Sequence, residues 1–178
     1  MKHFFQSKAY IAEGYIINSQ QQKFDLRNLP PILRVLLSTD GTVTKTLEAY
    51  FWEAIQVLNV QQELIQLDHA RDFLPSQAGE WLLQRSVELL GQQSGRCYTE
   101  AHSLIRLHVL PEEIRLQLQS GQIGIGELLR EKQLESYRQL VDLGQYDKGR
   151  IFRTYQIIIN HQPALLVTEI FPLACYQA

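Results

Sequence analysis

Two ionisable residues stand where an alternating apolar pattern calls for a hydrophobe. In an extended strand, alternate residues share a face. Over Trp81–Leu90 one face carries Leu83, Arg85, Val87 and Leu89, so Arg85 interrupts an apolar row. Over Pro163–Phe171 the matching row is Leu165, Val167, Glu169 and Phe171, and Glu169 interrupts it. Desolvating either charge without a partner is costly. Either the two pair with each other, or one lies on a solvated face, or each meets a ligand. An arginine fork grips a carboxylate through two parallel hydrogen bonds. A carboxyl among apolar side chains can hold or accept a proton near neutrality. Together they suit a small, flat, anionic molecule that is held at one end and exchanges protons at the other.

Other chemistry-bearing residues form weaker patterns. Gly121, Gly124 and Gly126 lack the Gly-Lys-Ser/Thr of a phosphate loop and lack a preceding strand, so they read as a hinge or lid. His102 beside Ser103 makes no nucleophile–base pair by adjacency alone, and no third member is evident. The five histidines show no metal-ligand spacing. Cys97 and Cys175 are far apart in the chain and read as free thiols of a reducing compartment.

Several elements must position these residues. Residues 1–24 read as a loose lead-in or a short helix. A helix over 29–37 follows, with Asn28 as its cap and prolines in its first turn. Residues 38–42 form a turn ending in Gly41-Thr42. A helix over 43–51 and a strand over 55–66 come next, then a connection over 68–79. Two apolar runs around Gly91–Gly95 make a hairpin. A helix starts at Leu110-Pro111-Glu112 and stops at Ser120-Gly121. Residues 122–126 form a flexible bridge. Leu134, Tyr137 and Val141 put a second helix over 127–142. Arg150–Ile159 and Pro163–Phe171 form a closing hairpin around residues 160–162. Hairpins and helices in separate blocks point to an α+β fold with an antiparallel sheet.

Composition sets the outer limits. The chain has 178 residues, 45% of them hydrophobic, with 17 Lys and Arg against 19 Asp and Glu. That is one ordinary domain, large enough to fold without a disulfide or metal staple. A net charge of -2 argues against a nucleic-acid partner, which needs a basic face. No run is apolar enough to span a membrane, and the first residues lack a secretory pattern. A cytoplasmic protein is the expectation.

Four stretches resemble the chorismate lyase family, in the family's order. Leu36–Lys45 is similar to the segment whose backbone borders the product, which includes Val43. Trp81–Leu90 is similar to the strand bearing the substrate-binding arginine, which falls on Arg85. Ile123–Leu129 resembles the flap segment, where a backbone amide meets the ligand; that position is Ile125, followed by Gly126. Pro163–Pro172 resembles the terminal strand, and its Thr-Glu puts the family's acid/base on Glu169. The likeness covers roughly residues 29–172. It departs at Gly124, where the family usually has proline. It departs also in keeping only Arg150 and Arg153 of the arginines that some members carry before the last hairpin.

The resemblance implies a single antiparallel sheet with helices packed around it and a ligand cavity under helical flaps. It implies a lyase converting chorismate to pyruvate and 4-hydroxybenzoate, an aromatic acid used for quinone rings, with no metal or cofactor. A monomer is expected. Two other readings compete. One is a non-catalytic, small-anion-binding sensor domain of the related fold found in transcription regulators; the stretch before Asn28 is short for the helix-turn-helix domain those proteins carry. The other is a lyase or isomerase acting on a related cyclic acid.

Overall fold

The computed structural model describes residues 14–39, 43–120 and 124–177. The first part of the lead-in, residues 40–42 of the expected turn, and residues 121–123 of the helix stop and glycine bridge lie outside them. Strands β1 (Tyr15–Ile17) and β2 (Lys23–Asp25) form a small hairpin where a loose segment was expected. The Asn18 side chain makes its turn, accepting hydrogen bonds from the Gln20 and Gln22 amides at 3.1 and 2.8 Å.

Helix α1 (Pro31–Ser38) buries Leu33, Leu36 and Leu37. Asn28 does not cap it. It closes a 3-10 turn, Leu26–Asn28, whose own cap is Asp25. Consecutive prolines explain the shift: Pro31 holds Pro30 in an extended conformation, so the helix begins at the second proline. Helix α2 (Val43–Phe51) and strand β3 (Ile55–Gln66) match the expected bounds. Strands β4 (Trp81–Gly91) and β5 (Cys97–Ile105) form the expected hairpin. Helix α3 (Glu112–Ser120) has its two acids in the first turn, where the helix dipole favours them.

The largest departure follows. Helix α4 (Ile125–Glu131) contains Ile125 and Gly126, which were expected in a flexible bridge. It is short, and residues 127–142 are not one helix. Gln133 takes a positive φ of 50° just after it, and strand β6 (Ser136–Asp147) begins three residues later. Leu134, Tyr137 and Val141 have helical spacing but do not share a face: Leu134 precedes the strand, Tyr137 is exposed and Val141 is buried. Val141 is the extra residue of a register shift between Leu140 and Asp142, which breaks the two-residue alternation that would have marked a strand. Strands β7 (Arg150–Ile159) and β8 (Gln162–Pro172) close the chain. Asn160 and His161, both at positive φ, make their tight turn.

Strands β3 to β8 form one antiparallel sheet in the order β3-β4-β5-β8-β7-β6. The α+β class stands, but the sheet is six-stranded with the β1–β2 hairpin apart from it. Two apolar clusters pack on its helix-bearing face. One joins Leu36, Leu37 and Leu47 to Leu89, Ile151 and Phe171. The other joins Ile114, Leu118 and Leu128 to Leu83, Ile105, Leu165 and Ile157. No helix among the described residues is long and apolar enough to cross a membrane.

The β4–β5 turn is clamped from outside by Glu53. Its carboxylate accepts from the Gln93 and Ser94 amides at 2.9 and 3.0 Å, from Ser94 Oγ at 2.8 Å, and from the Tyr98 hydroxyl. Those bonds, Tyr98's foremost, lower the Glu53 carboxyl from an ordinary 4.5 to about 2. A depressed folded-state value stabilises the fold above the ordinary value, and that contribution is lost as pH falls from there towards the folded value. Glu53→Gln should therefore lower the thermal midpoint at pH 7 and flatten its decline on the acid side. Thermal melts at stepped pH check this; parallel acid slopes for both proteins would refute it.

Candidate active site

Between the two apolar clusters, the same face of the sheet carries a polar belt two rows deep. Register defines it. In one row Arg85 pairs with Ser103, Ser103 with Val167, and Val167 with Tyr155. In the next row Val87 pairs with Ala101, Ala101 with Glu169, and Glu169 with Arg153. Arg85 and Glu169 thus share a face, with β5 between their strands. Two strand spacings and one two-residue step put their backbones about 12 Å apart.

A cavity of about 560 Å³ lies over this belt, and Val43, Arg85, Ile125, Gly126 and Glu169 all line it. Val43 is the first residue of α2 and is buried. Ile125 and Gly126 open α4, which lies across the far side. A Cβ at Gly126 would meet Arg138 Nη2 at 3.4 Å, so the tip of that side chain lies directly against the start of α4.

Arg85 is 2% exposed, and burial pulls its guanidinium below the usual range. Arg85 and Glu169 are not each other's partners. Arg153 Nε donates to Glu169 Oε2 at 2.6 Å, and Tyr155 OH donates to Oε1 at 2.9 Å. Arg153 is anchored in turn, donating through Nη1 to the carbonyls of Leu36 and Thr39. Glu169 therefore sits in a buried ion pair, not among apolar groups alone. Burial, and next the Glu169 charge, push the Tyr155 phenol far above its usual range. That hydroxyl stays protonated and keeps donating.

Sequence reasoning missed three cavity residues or their supports. Arg153 carried the same signal as Arg85, since it interrupts the row Ile151, Tyr155, Ile157. Tyr155 reads as an ordinary core aromatic. Arg138, which lines the cavity from β6, was hidden by the helical reading of its segment.

The family described as Chorismate pyruvate-lyase Rv2949c-like matches residues 37–178, which include all of these side chains. The chain belongs to this chorismate pyruvate-lyase family. The family member is 30% identical over 174 residues to the chorismate pyruvate-lyase of Mycobacterium leprae (strain TN), covering 90% of this chain and 83% of that one. It is 26% identical over 170 residues to the chorismate pyruvate-lyase of Mycobacterium tuberculosis (strain ATCC 25618 / H37Rv), covering 83% and 82%. Its fold resembles that of PhnF from Mycobacterium smegmatis, with a TM-score of 0.57 and 10% identity over 79% of this chain and 67% of that one. That likeness is one of fold alone.

Proposed function

We propose that this family member eliminates the side chain of chorismate as pyruvate and releases 4-hydroxybenzoate. One observation carries the reading: a buried arginine and a buried glutamate face one cavity from β4 and β8, with the unreactive strand β5 between them. Chorismate is a cyclohexadiene with a ring carboxylate, a hydroxyl and an enolpyruvyl ether. The reaction breaks the C–H bond at the hydroxyl-bearing carbon and the adjacent C–O bond to the side chain. The ring keeps the electron pair and becomes aromatic. The departing enolpyruvate takes a proton on its methylene carbon, so the equation balances with no co-reactant. Aromatisation supplies the driving force, which leaves the protein to orient the substrate and move one proton.

Arg85 clamps the ring carboxylate, and the Ile125 amide adds a donor near it. Val43 and Gly126 shape the walls. Glu169 handles the proton. Arginine has no acceptor, so the carboxylate oxygen facing Arg153 carries no hydrogen, and the other receives one from Tyr155. Each oxygen keeps a lone pair for the ligand. The proton therefore moves towards Glu169 first and on to the side chain afterwards. Helix α4 over the cavity limits water, which strengthens both electrostatic contacts.

The test is to mix purified protein with chorismate, without added metal, and follow pyruvate and 4-hydroxybenzoate together. Equal amounts of both are expected. Arg85→Ala should raise KM by about 10–100-fold, the worth of a charged hydrogen-bonded clamp. Ligand binding with no pyruvate release would overturn the lyase reading and leave a non-catalytic anion-binding domain.

A further inference from the structure

A second cation faces the same cavity from the opposite end of the sheet. Arg138 lies on edge strand β6, paired with Ile157 of β7, and it lines the cavity while half-buried. Glu127 and Glu131 of α4 line the cavity too. Yet the Arg138 side chain forms no ion pair and no hydrogen bond with another described residue. Its charge bears on the Tyr155 phenol, and its Nη2 lies beside Gly126. The other cavity cations differ: Lys45 and Arg130 are exposed. A half-desolvated guanidinium without a protein carboxylate is unfavourable by itself. It is suited to receive one from a ligand.

The order of side chains across the sheet says which one. Arg85 stands on β4, Glu169 on β8, Tyr155 on β7 and Arg138 on β6. The two guanidinium-bearing strands are four spacings apart, about 19 Å along a flat sheet, yet both side chains reach one cavity. The carboxylate and phenol lie between them in sheet order. Such a row fits a dianion whose reacting bond lies between its two carboxylates.

We infer that Arg138 is a substrate-binding residue that grips the side-chain carboxylate of the enolpyruvyl group, so that the cavity reads a dianion end to end. This rests on the lyase reading for the identity of the ligand. It separates substrate from product: chorismate engages both arginines, whereas 4-hydroxybenzoate has only the carboxylate for Arg85. Losing Arg138 therefore weakens the substrate and spares the product.

The experiment compares wild type, Arg138→Met and Arg138→Lys. Arg138→Met should raise KM for chorismate about 10–100-fold, while inhibition by 4-hydroxybenzoate stays within about threefold. Arg138→Lys, a point charge without the fork, should fall between. Calorimetric binding of chorismate and of its side-chain methyl ester, with Glu169→Gln in both proteins to suppress turnover, supplies a readout independent of rate. Esterification should weaken binding about tenfold where Arg138 is present and leave the Arg138→Met protein nearly unmoved, as a double-mutant cycle requires. Equal losses on esterification in both proteins, or a parallel loss of substrate and product affinity in Arg138→Met, overturn the assignment. Pyruvate release by wild type with KM unchanged in Arg138→Met sinks the subsite alone. Chorismate binding that depends on Arg138, but with no pyruvate released, sinks the lyase reading alone.

Discussion

Glu169→Gln is expected to lower kcat by about 10²–10⁴-fold, the usual worth of a positioned acid or base. The amide copies the shape of the carboxyl but cannot take a proton. Its one oxygen still accepts from Arg153, while its NH2 can only donate, so the bond to Tyr155 reverses direction and the phenol becomes the acceptor. KM should stay within about threefold, because the substrate carboxylates are held elsewhere. Steady-state kinetics on chorismate decide the matter, with 4-hydroxybenzoate binding as the check that the cavity survives. A kcat within about threefold of wild type removes Glu169 from the chemistry.

Arg153→Met is expected to cost about 3–5 kcal/mol of stability, the range for breaking a buried ion pair from one side. The residue is 1% exposed, so solvent does not screen the loss. Three acceptors lose their donor at once: Glu169 Oε2 and the carbonyls of Leu36 and Thr39. For a domain of this size the midpoint should drop by about 10 °C or more. The double variant Arg153→Met, Glu169→Leu should recover much of the loss, since it removes the stranded charge as well. Thermal and denaturant unfolding of the three proteins measure this. A single-variant loss below about 1 kcal/mol would mean that the pair contributes no more than a surface one.

The hairpins were legible because their alternation holds around the two charges. Leu83 to Leu89 and Leu165 to Phe171 keep two-residue spacing, with the extra residue of each register shift lying outside both stretches, so Arg85 and Glu169 could be put on a buried face before their neighbours across the sheet were known. The α2–β3 boundary was legible too, with Trp52 at positive φ where the helix stops. What failed is local geometry that pattern does not encode. The bulge at Val141 interrupts the alternation of β6, so the helical spacing of Leu134, Tyr137 and Val141 prevailed, and with that strand went Arg138. The pairing of Glu169 with Arg153, not Arg85, depends on which strands are neighbours. The chain between β5 and β8 passes through two helices and two strands before returning, so strand order could not be read from sequence. Arg153 itself was in plain view, since it interrupts its apolar row just as the other two charges do.

The sheet is two three-stranded meanders, β3-β4-β5 and β6-β7-β8, joined along one seam where β5 meets β8. Arg85 belongs to the first and Glu169 to the second. Neither meander alone contains both groups, so the proposed site is assembled only when the seam zips. Local hairpins form early and cheaply; this long-range union comes late. A chain emerging from the ribosome thus lacks half of the proposed site until β8 has been made.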